Sequence, residues 1–273
     1  FFLPNRKLLL RNKMDVKRGE VTTSNADGFR YTLTPAKIRG EDIIFCIDVD
    51  KESTTEMKAA GGLATRLDSI KQSILIFINS KLSINSDHRF GFAALSNTAS
   101  LLRKEFSSDV ESAVSVLRFL SATSSCDQAD LTTLFRIAEH AAKKARTQNR
   151  ILRLVLIYCR SATIPYHNWP LKEKSFTLDV MYLHDRATPD NCPQRVFDAL
   201  TDMVEGVSEY DGFMCETAQG SRFLFRSMAI LLCHPQQRVS QEAMGIPKSI
   251  TKKSSAPSGS SSSAESFHVA TQS

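Results

Sequence analysis

From Ile43 to Ser53 the chain reads IIFCIDVDKES, an apolar run that passes into a polar loop. An uninterrupted run of β-branched and aromatic residues predicts a strand that is buried on both faces. We expect the loop to extend to Gly62, after which Thr65 and Asp68 have the spacing of a capping box and predict a helix start. A buried strand, a loop and an amphipathic helix in this order are typical of the first unit of a parallel α/β sheet.

Strand and helix signals continue to alternate along the chain. Further strands are expected at residues 90–95, 151–159, 176–183 and 212–216, with residues 98–102 as a hairpin partner. Helices are expected at residues 196–204 and 223–233, and two more are expected to be capped by Ser108 with Glu111 and by Asp127 with Asp130. Right-handed crossovers convert this order into an α/β fold, a doubly wound, mostly parallel, Rossmann-like sheet over residues 41–236.

The two ends of the chain differ from this body in charge and composition. Residues 1–40 carry nine basic and three acidic side chains, a balance of +6, and are expected to form a flexible basic arm. Residues 41–244 carry 23 basic and 25 acidic side chains, so the body is slightly acidic. Residues 237–273 are expected to form a docking segment followed by a disordered tail, because eight of residues 254–266 are serine.

Composition argues against several classes of protein. Hydrophobic residues make up 42% of the chain and charged residues 23%, as in ordinary globular proteins, and no apolar run approaches the length of a membrane span. An acidic body argues against direct binding of nucleic acid. The six cysteines include no C-x-x-C pair, which argues against a zinc ribbon. We expect buried reduced thiols in an intracellular protein, although six cysteines would also permit three disulfides.

Carboxylates follow the first predicted strand at alternate positions. Asp48, Asp50 and Glu52 would lie beyond the carboxyl end of that strand, where open α/β sheets bind ligands. Oxygen ligands of this kind suit Mg²⁺. The alternative is a solvated loop whose carboxylates lie near helix amino ends.

This opening resembles that of von Willebrand factor A (VWA) domains, which place an Asp-x-Ser-x-Ser loop there and bind a divalent ion through it. Asp48 matches the first aspartate, whereas Asp50 and Glu52 stand in the serine positions. In that family a threonine from a later loop completes the site, and Ser124 or Ser125 would occupy its region here.

The sequence departs from the VWA pattern after the strand at residues 151–159. The family usually has an aspartate followed by glycine there, but this chain has Arg160 and Ser161. A guanidinium at this point would pair with Asp48 or Asp50 and replace the ion electrostatically. We therefore expect a degenerate loop that binds no metal and needs no cofactor.

A more specific resemblance rests on four segments taken together. They read DVDKE at 48–52, LIYCRS at 156–161, DVMYLH at 179–184 and LLCHPQQR at 231–238. In this order and spacing they are similar to the small VWA-type adaptor subunit of the BRISC and BRCA-one-A deubiquitinase complexes. The resemblance implies a non-catalytic scaffold that holds a UEV-type subunit, which links it to a JAMM/MPN metalloprotease acting on non-degradative polyubiquitin chains. It also implies roles in the DNA-damage response and ubiquitin signalling, in nucleus and cytoplasm.

The segment after the last predicted helix is the candidate partner-binding site. Pro235 is expected to stop the helix and His234 to serve its negative end. These roles leave Gln236, Gln237 and Arg238 unexplained, and an extended segment projecting from a helix end suits docking in a partner's groove.

Two other functions compete with the adaptor. One is a metal-dependent VWA module that presents Mg²⁺ through Asp48, Asp50 and Glu52. The other is an enzyme on a Rossmann-like sheet, which is disfavoured because the chain has no P-loop, no G-x-G-x-x-G after the first strand and no G-x-S-x-G elbow.

Overall fold

The computed structural model describes residues 38–59, 62–170, 174–217 and 220–245. Most of the expected basic arm and all of the serine-rich stretch lie outside these residues. None of the helices in the described ranges is long and apolar enough to cross a membrane. The six cysteines all lie within the described ranges and are free thiols, four of them buried.

Within the described residues, six strands form one sheet. They are β1 (Gly40–Asp48), β4 (Arg89–Leu95), β5 (Ala99–Leu101), β6 (Arg150–Tyr158), β7 (Thr177–Leu183) and β8 (Met214–Thr217). Their order is β5-β4-β1-β6-β7-β8, and only β5 runs antiparallel to its neighbour. The mostly parallel, doubly wound sheet and the hairpin partner at residues 98–102 are therefore confirmed.

Helices cover both faces of this sheet. They are α1 (Arg66–Ile84), α2 (Val110–Phe119), α3 (Thr132–Thr147), α4 (Pro193–Val207) and α5 (Ser221–Ile230). Strand β1 alternates between two cores: Ile43 and Phe45 pack in the core that contains α1 and α5, and Ile44 and Cys46 pack in the one that contains α3 and α4. This alternation explains why β1 is apolar at every position between its charged ends.

The helix starts were predicted with mixed success. Thr65 caps α1 as expected, because its hydroxyl accepts from the Asp68 backbone N–H at 3.0 Å. The cap of α2 is Asp109 and not Ser108, because the helix begins at Val110, and the Asp109 carboxylate accepts from the Glu111 and Ser112 N–H groups. Helix α3 begins at Thr132 with Leu131 as its cap residue, so the Asp127–Asp130 capping box is wrong, although Asp130 accepts from the Thr132 N–H at 2.8 Å.

The expected loop between β1 and α1 is instead structured. It contains a short 3₁₀ helix (Lys51–Thr54) and a hairpin of β2 (Glu56–Ala59) and β3 (Gly62–Thr65). The hairpin strands have four residues each and are mostly exposed or half-buried, so they lack the apolar run that marks a core strand.

Candidate functional site

Asp48 ends β1 and is fully buried at the carboxyl edge of the sheet. Its carboxylate accepts hydrogen bonds from the backbone N–H groups of Asp50 and Cys159, each at 3.1 Å. A buried carboxylate needs such partners, because desolvation penalises its charged form. The Asp50 N–H comes from the loop that follows β1 itself, and the Cys159 N–H from the chain that leaves the neighbouring strand β6, so the strand ends build this anion site.

Arg160 supplies the charge partner of Asp48. Its Nη2 lies 2.9 Å from Asp48 Oδ1, and its Nε lies 3.1 Å from both carboxylate oxygens. The remaining guanidinium N–H groups donate to the backbone carbonyls of Ser96 and Gln128. Of the two carboxylates considered, the cation therefore pairs with Asp48 and not with Asp50, and it joins three loops at this edge.

Burial and the partner's charge shift the pKa of each group in this pair in opposite directions. Burial raises the pKa of Asp48, and the Arg160 guanidinium limits that rise. Burial acts to lower the pKa of Arg160, but the Asp48 carboxylate outweighs it and holds that pKa above its ordinary value. The ion pair therefore offsets part of the cost of burying the two charges.

The other two carboxylates of the loop are engaged separately. Asp50 accepts from the backbone N–H groups of Glu52 at 2.8 Å and Cys126 at 2.7 Å. Glu52 accepts from Ser161, from the backbone N–H at 3.0 Å and from the hydroxyl at 2.7 Å. In the parts of the chain that the structure describes, no group of three His, Cys, Asp or Glu side chains is placed to hold a metal ion. The donor set does not fit a divalent cation, because Arg160 covers the carboxylate that would be its first ligand.

Neither Ser124 nor Ser125 contributes its side chain to this edge. Thr123 is the hydroxyl residue that joins it, donating from its backbone N–H and its Oγ1 to the Val49 carbonyl at 2.6 and 3.1 Å. Cys126 joins through its amide, which donates to Asp50, and its Sγ lies 3.7 Å from Thr123 Oγ1. The backbone register of the loop decides which residues face the site, and sequence pattern does not reveal that register.

The candidate docking segment turns back onto the domain. A short 3₁₀ helix covers Pro235–Gln237, and His234 caps it by accepting from the Gln236 N–H at 3.2 Å. The other ring nitrogen of His234 lies 2.9 Å from the carbonyl of Arg39. Because α5 already ends at Ile230, the expected stop at Pro235, the expected role of His234 at the end of that helix and the expected projection from it are wrong.

Arg238 is the structural anchor of this segment. Its side chain is fully buried, and its two terminal nitrogens bind the Asp179 carboxylate at 2.6 and 2.9 Å. Its guanidinium also stacks 4.3 Å from the centre of the Phe213 ring. Gln236 and Gln237 remain exposed, so they are the members of the segment that present side chains to solvent. Whether the segment binds a partner stays a prediction.

Asp179 is the centre of a buried charge network that the sequence reading missed. Besides Arg238 it accepts from Arg153 Nε at 2.5 Å and from the Phe213 N–H at 2.8 Å. Burial acts to raise the pKa of Asp179, but the two cations outweigh it and lower that pKa to about 2. One signal was present in the sequence, since Arg153 and Asp179 are charges inside apolar strands.

Glu41 continues the network at the amino end of β1. Its buried carboxylate pairs with Lys81, and Arg153 Nη1 lies 3.4 Å away. Burial acts to raise the pKa of Glu41, but these cations outweigh it and hold the pKa below its ordinary value. The Glu41 backbone N–H donates to His88 Nδ1 at 3.1 Å, so that nitrogen carries no proton. The network thus links β1, β6 and β7 to the segment after α5.

His88 gives the network a pH dependence that can be measured. Burial lowers its pKa to about 4 from 6.5, and nearby Lys81 adds to that effect while Glu41 opposes it. A folded-state pKa below the unfolded one means that stability is full above pH 6.5 and is lost as pH falls through about 4. His88→Asn keeps an acceptor for the Glu41 N–H but cannot titrate.

Between pH 7 and pH 4, the free energy of unfolding of wild type is expected to fall by about 2–3 kcal/mol more than that of the His88→Asn variant. Urea unfolding at a series of pH values measures this difference. Parallel pH profiles for the two proteins would contradict the assignment.

Comparison with solved structures identifies the fold of the described residues. No protein-family model and no curated protein sequence matches the chain. Among solved structures, the VWA domain of SpRpn10 matches with 15% identity and a TM-score of 0.51, covering 73% of this chain and 99% of that domain. The PilB minor pilin from Streptococcus sanguinis matches with 11% identity and a TM-score of 0.51, covering 76% of this chain and 64% of the pilin chain.

At these identities the similarity concerns the fold and not the function. The shared fold is a mostly parallel central sheet with helices on its faces. The described part of this chain therefore has the von Willebrand factor A fold.

Proposed function

We propose that this protein is a non-catalytic scaffold or adaptor subunit of a JAMM/MPN deubiquitinase complex that acts on non-degradative polyubiquitin chains. Its partners would be a UEV-type subunit and, through it, the metalloprotease, in the nucleus and the cytoplasm. The observation that carries the proposal is the ion pair between Arg160 and Asp48. It gives the ligand-binding edge of a VWA fold a fixed cation, so this edge is held together without a metal.

The sequence resemblance supports the same function. Each of its four segments supplies one residue of the two buried ion-pair sites, namely Asp48, Arg160, Asp179 and Arg238. Such residues stabilise a rigid domain and perform no chemistry on a substrate. A rigid domain with exposed contact residues is what a scaffold needs, since it lets weak contacts act together through effective concentration.

Co-purification tests the proposal directly. The full chain, co-expressed with a UEV-type subunit and a JAMM/MPN metalloprotease, is expected to elute with both in near-stoichiometric amounts on size exclusion at physiological salt. Omission of the UEV-type subunit is expected to release the metalloprotease. Elution of the chain alone would contradict the proposal.

The docking segment can be tested without breaking the fold. The double variant Gln236→Ala with Gln237→Ala changes two exposed side chains and removes one exposed hydrogen bond, from the Arg39 N–H to Gln236 Oε1 at 3.3 Å. We expect it to weaken capture of the UEV-type subunit at least tenfold. Gln72→Ala, an exposed glutamine on α1, is the matched control and is expected to bind like wild type. Equal capture by the double variant would exclude these glutamines from the interface.

A metal-dependent VWA module remains the second candidate function, because Asp48, Asp50 and Glu52 do lie at the carboxyl edge of the sheet. The chemistry of the site predicts no sub-millimolar Mg²⁺ binding by calorimetry, since a cation there would face Arg160 at close range. Sub-millimolar binding that is lost in Asp48→Ala, and also in Glu52→Ala, would favour the metal-dependent module instead.

A further inference from the structure

A basic groove runs between α3 and the loop that follows β5. It has a volume of about 600 Å³, and the residues of α3 that line it include Arg136, Ile137, Ala141 and Lys144. Arg136, His140 and Lys144 recur every four residues, as do Ile137 and Ala141 beside them, so together they form one stripe along the helix. From Arg136 to Gln148, which closes the stripe, the groove extends about 18 Å at 1.5 Å per residue.

The opposite wall is made by the loop. Phe106 packs against Gly91 of β4, where a Cβ atom would lie 3.2 Å from the Phe106 ring. Glycine at this point lets the ring lie close to the sheet, and the ring then forms an apolar wall beside Leu101. Arg103 and Lys104 stand at the exposed mouth of the groove.

The charges of the groove are unbalanced. Arg103, Lys104, Arg136 and Lys144 are all exposed, and among the described residues none of them has an ion-pair partner. The two acidic lining residues are Asp42, which Arg89 and Arg150 already bind, and Glu105. The groove therefore presents a surplus of positive charge on a domain body that is slightly acidic overall.

We propose that this groove binds an acidic peptide segment of a partner protein, with an apolar side chain of that segment seated between Phe106 and α3. The inference goes beyond the proposed function, because the groove lies on the face of the sheet that α3 covers. The docking segment, anchored by Arg238, lies on the opposite face. The ends of this chain do not suit the groove, since residues 1–40 carry a balance of +6 and residues 245–273 one of +2.

Shape and polarity favour a peptide over a compact polyanion. The groove extends about 18 Å, enough for five or six extended residues, and the α3 cations Arg136 and Lys144 are about 12 Å apart along the helix. A phosphate instead needs donors that converge on one point. The apolar walls would remain uncovered by an inorganic anion.

Selection from a random dodecapeptide library on the full chain tests this inference. We expect the enriched peptides to combine several Asp or Glu residues with an aromatic or aliphatic side chain. A synthesised enriched peptide is expected to bind with an affinity that falls as salt rises. Enrichment without an acidic bias would overturn the proposal, as would displacement of the peptide by equimolar tripolyphosphate.

Charge-matched variants locate the binding. The double variant Arg136→Glu with Lys144→Glu reverses two charges that line the groove, and we expect it to lower the affinity for the peptide at least tenfold. Arg118→Glu with Lys143→Glu makes the same change in net charge at exposed helix positions outside the groove, and we expect less than a twofold effect. Equal losses in the two double variants would show nonspecific attraction and overturn the proposal.

A third variant tests the apolar part of the groove. Ala141→Trp fills the space beside Phe106 without changing charge, and we expect at least a tenfold loss of peptide affinity. Thermal unfolding checks that each variant is folded, and the co-purification described above should be unchanged by Ala141→Trp. If a variant loses peptide binding but still co-purifies, or the reverse, the groove and the adaptor interface are distinct sites. Failure of one proposal is then distinguishable from failure of the other.

Discussion

Arg160→Leu is expected to lower the free energy of unfolding by about 3–5 kcal/mol, one of the largest effects of any substitution at the carboxyl edge of the sheet. The substitution leaves Asp48 fully buried with its two backbone donors but without a cation. It also leaves the carbonyls of Ser96 and Gln128 without the donor that joins their loops. Urea unfolding at pH 7 measures the change.

A double variant separates the ion pair from side-chain packing. Asp48→Asn removes the buried charge, so Asp48→Asn with Arg160→Leu is expected to be more stable than the Arg160→Leu single variant. A coupling free energy of about 1–3 kcal/mol between the two positions is expected for groups in direct contact. Additive losses would mean that Arg160 acts through packing and not through its charge.

Arg238→Ala is expected to lower the free energy of unfolding by about 3–5 kcal/mol, although Arg238 lies only a few residues from the end of the described chain. Asp179 would keep Arg153 and the Phe213 amide but would lose a bidentate partner inside the domain. The pKa of Asp179, which is about 2 in the folded protein, should then rise. The variant should therefore lose its remaining stability at a higher pH than wild type during acid unfolding.

Gln237→Ala is the matched control for this substitution. The glutamine is exposed and adjacent to Arg238, so its replacement is expected to change stability by less than about 0.5 kcal/mol. Deletion of residues 234–238 removes Arg238 as well, and it is expected to destabilise the domain even if the segment binds no partner. A stability of Arg238→Ala within about 0.5 kcal/mol of wild type would contradict the anchoring role.

The fold followed from local features of the sequence. A strand that is buried on both faces is apolar along most of its length, and a helix on a sheet carries an apolar stripe, so these elements are visible without tertiary information. The capping box at Thr65 was also visible, because its partners are three residues apart. The hairpin of β2 and β3 was not, since its short and largely exposed strands lack such a pattern.

The candidate site was predictable in part. The position of Asp48 at a strand end and the presence of a cation at Arg160 both follow from the strand boundaries and the resemblance to VWA domains. The choice between Asp48 and Asp50 as the partner did not follow, because it depends on which loop atoms reach the guanidinium. The same holds for Thr123, which enters the site through the backbone register of its loop.

The sequence by itself determined the order of strands and helices, the mostly parallel sheet and the loop of carboxylates at its edge. Only the tertiary structure decided that Asp179 binds Arg153 and Arg238, and that Glu41 joins them through Lys81. These partners lie 26 or more residues apart, so no local periodicity relates them. Their pairing is set by the register of neighbouring strands and by the cost of burying an unpaired charge, which act only once the chain is folded.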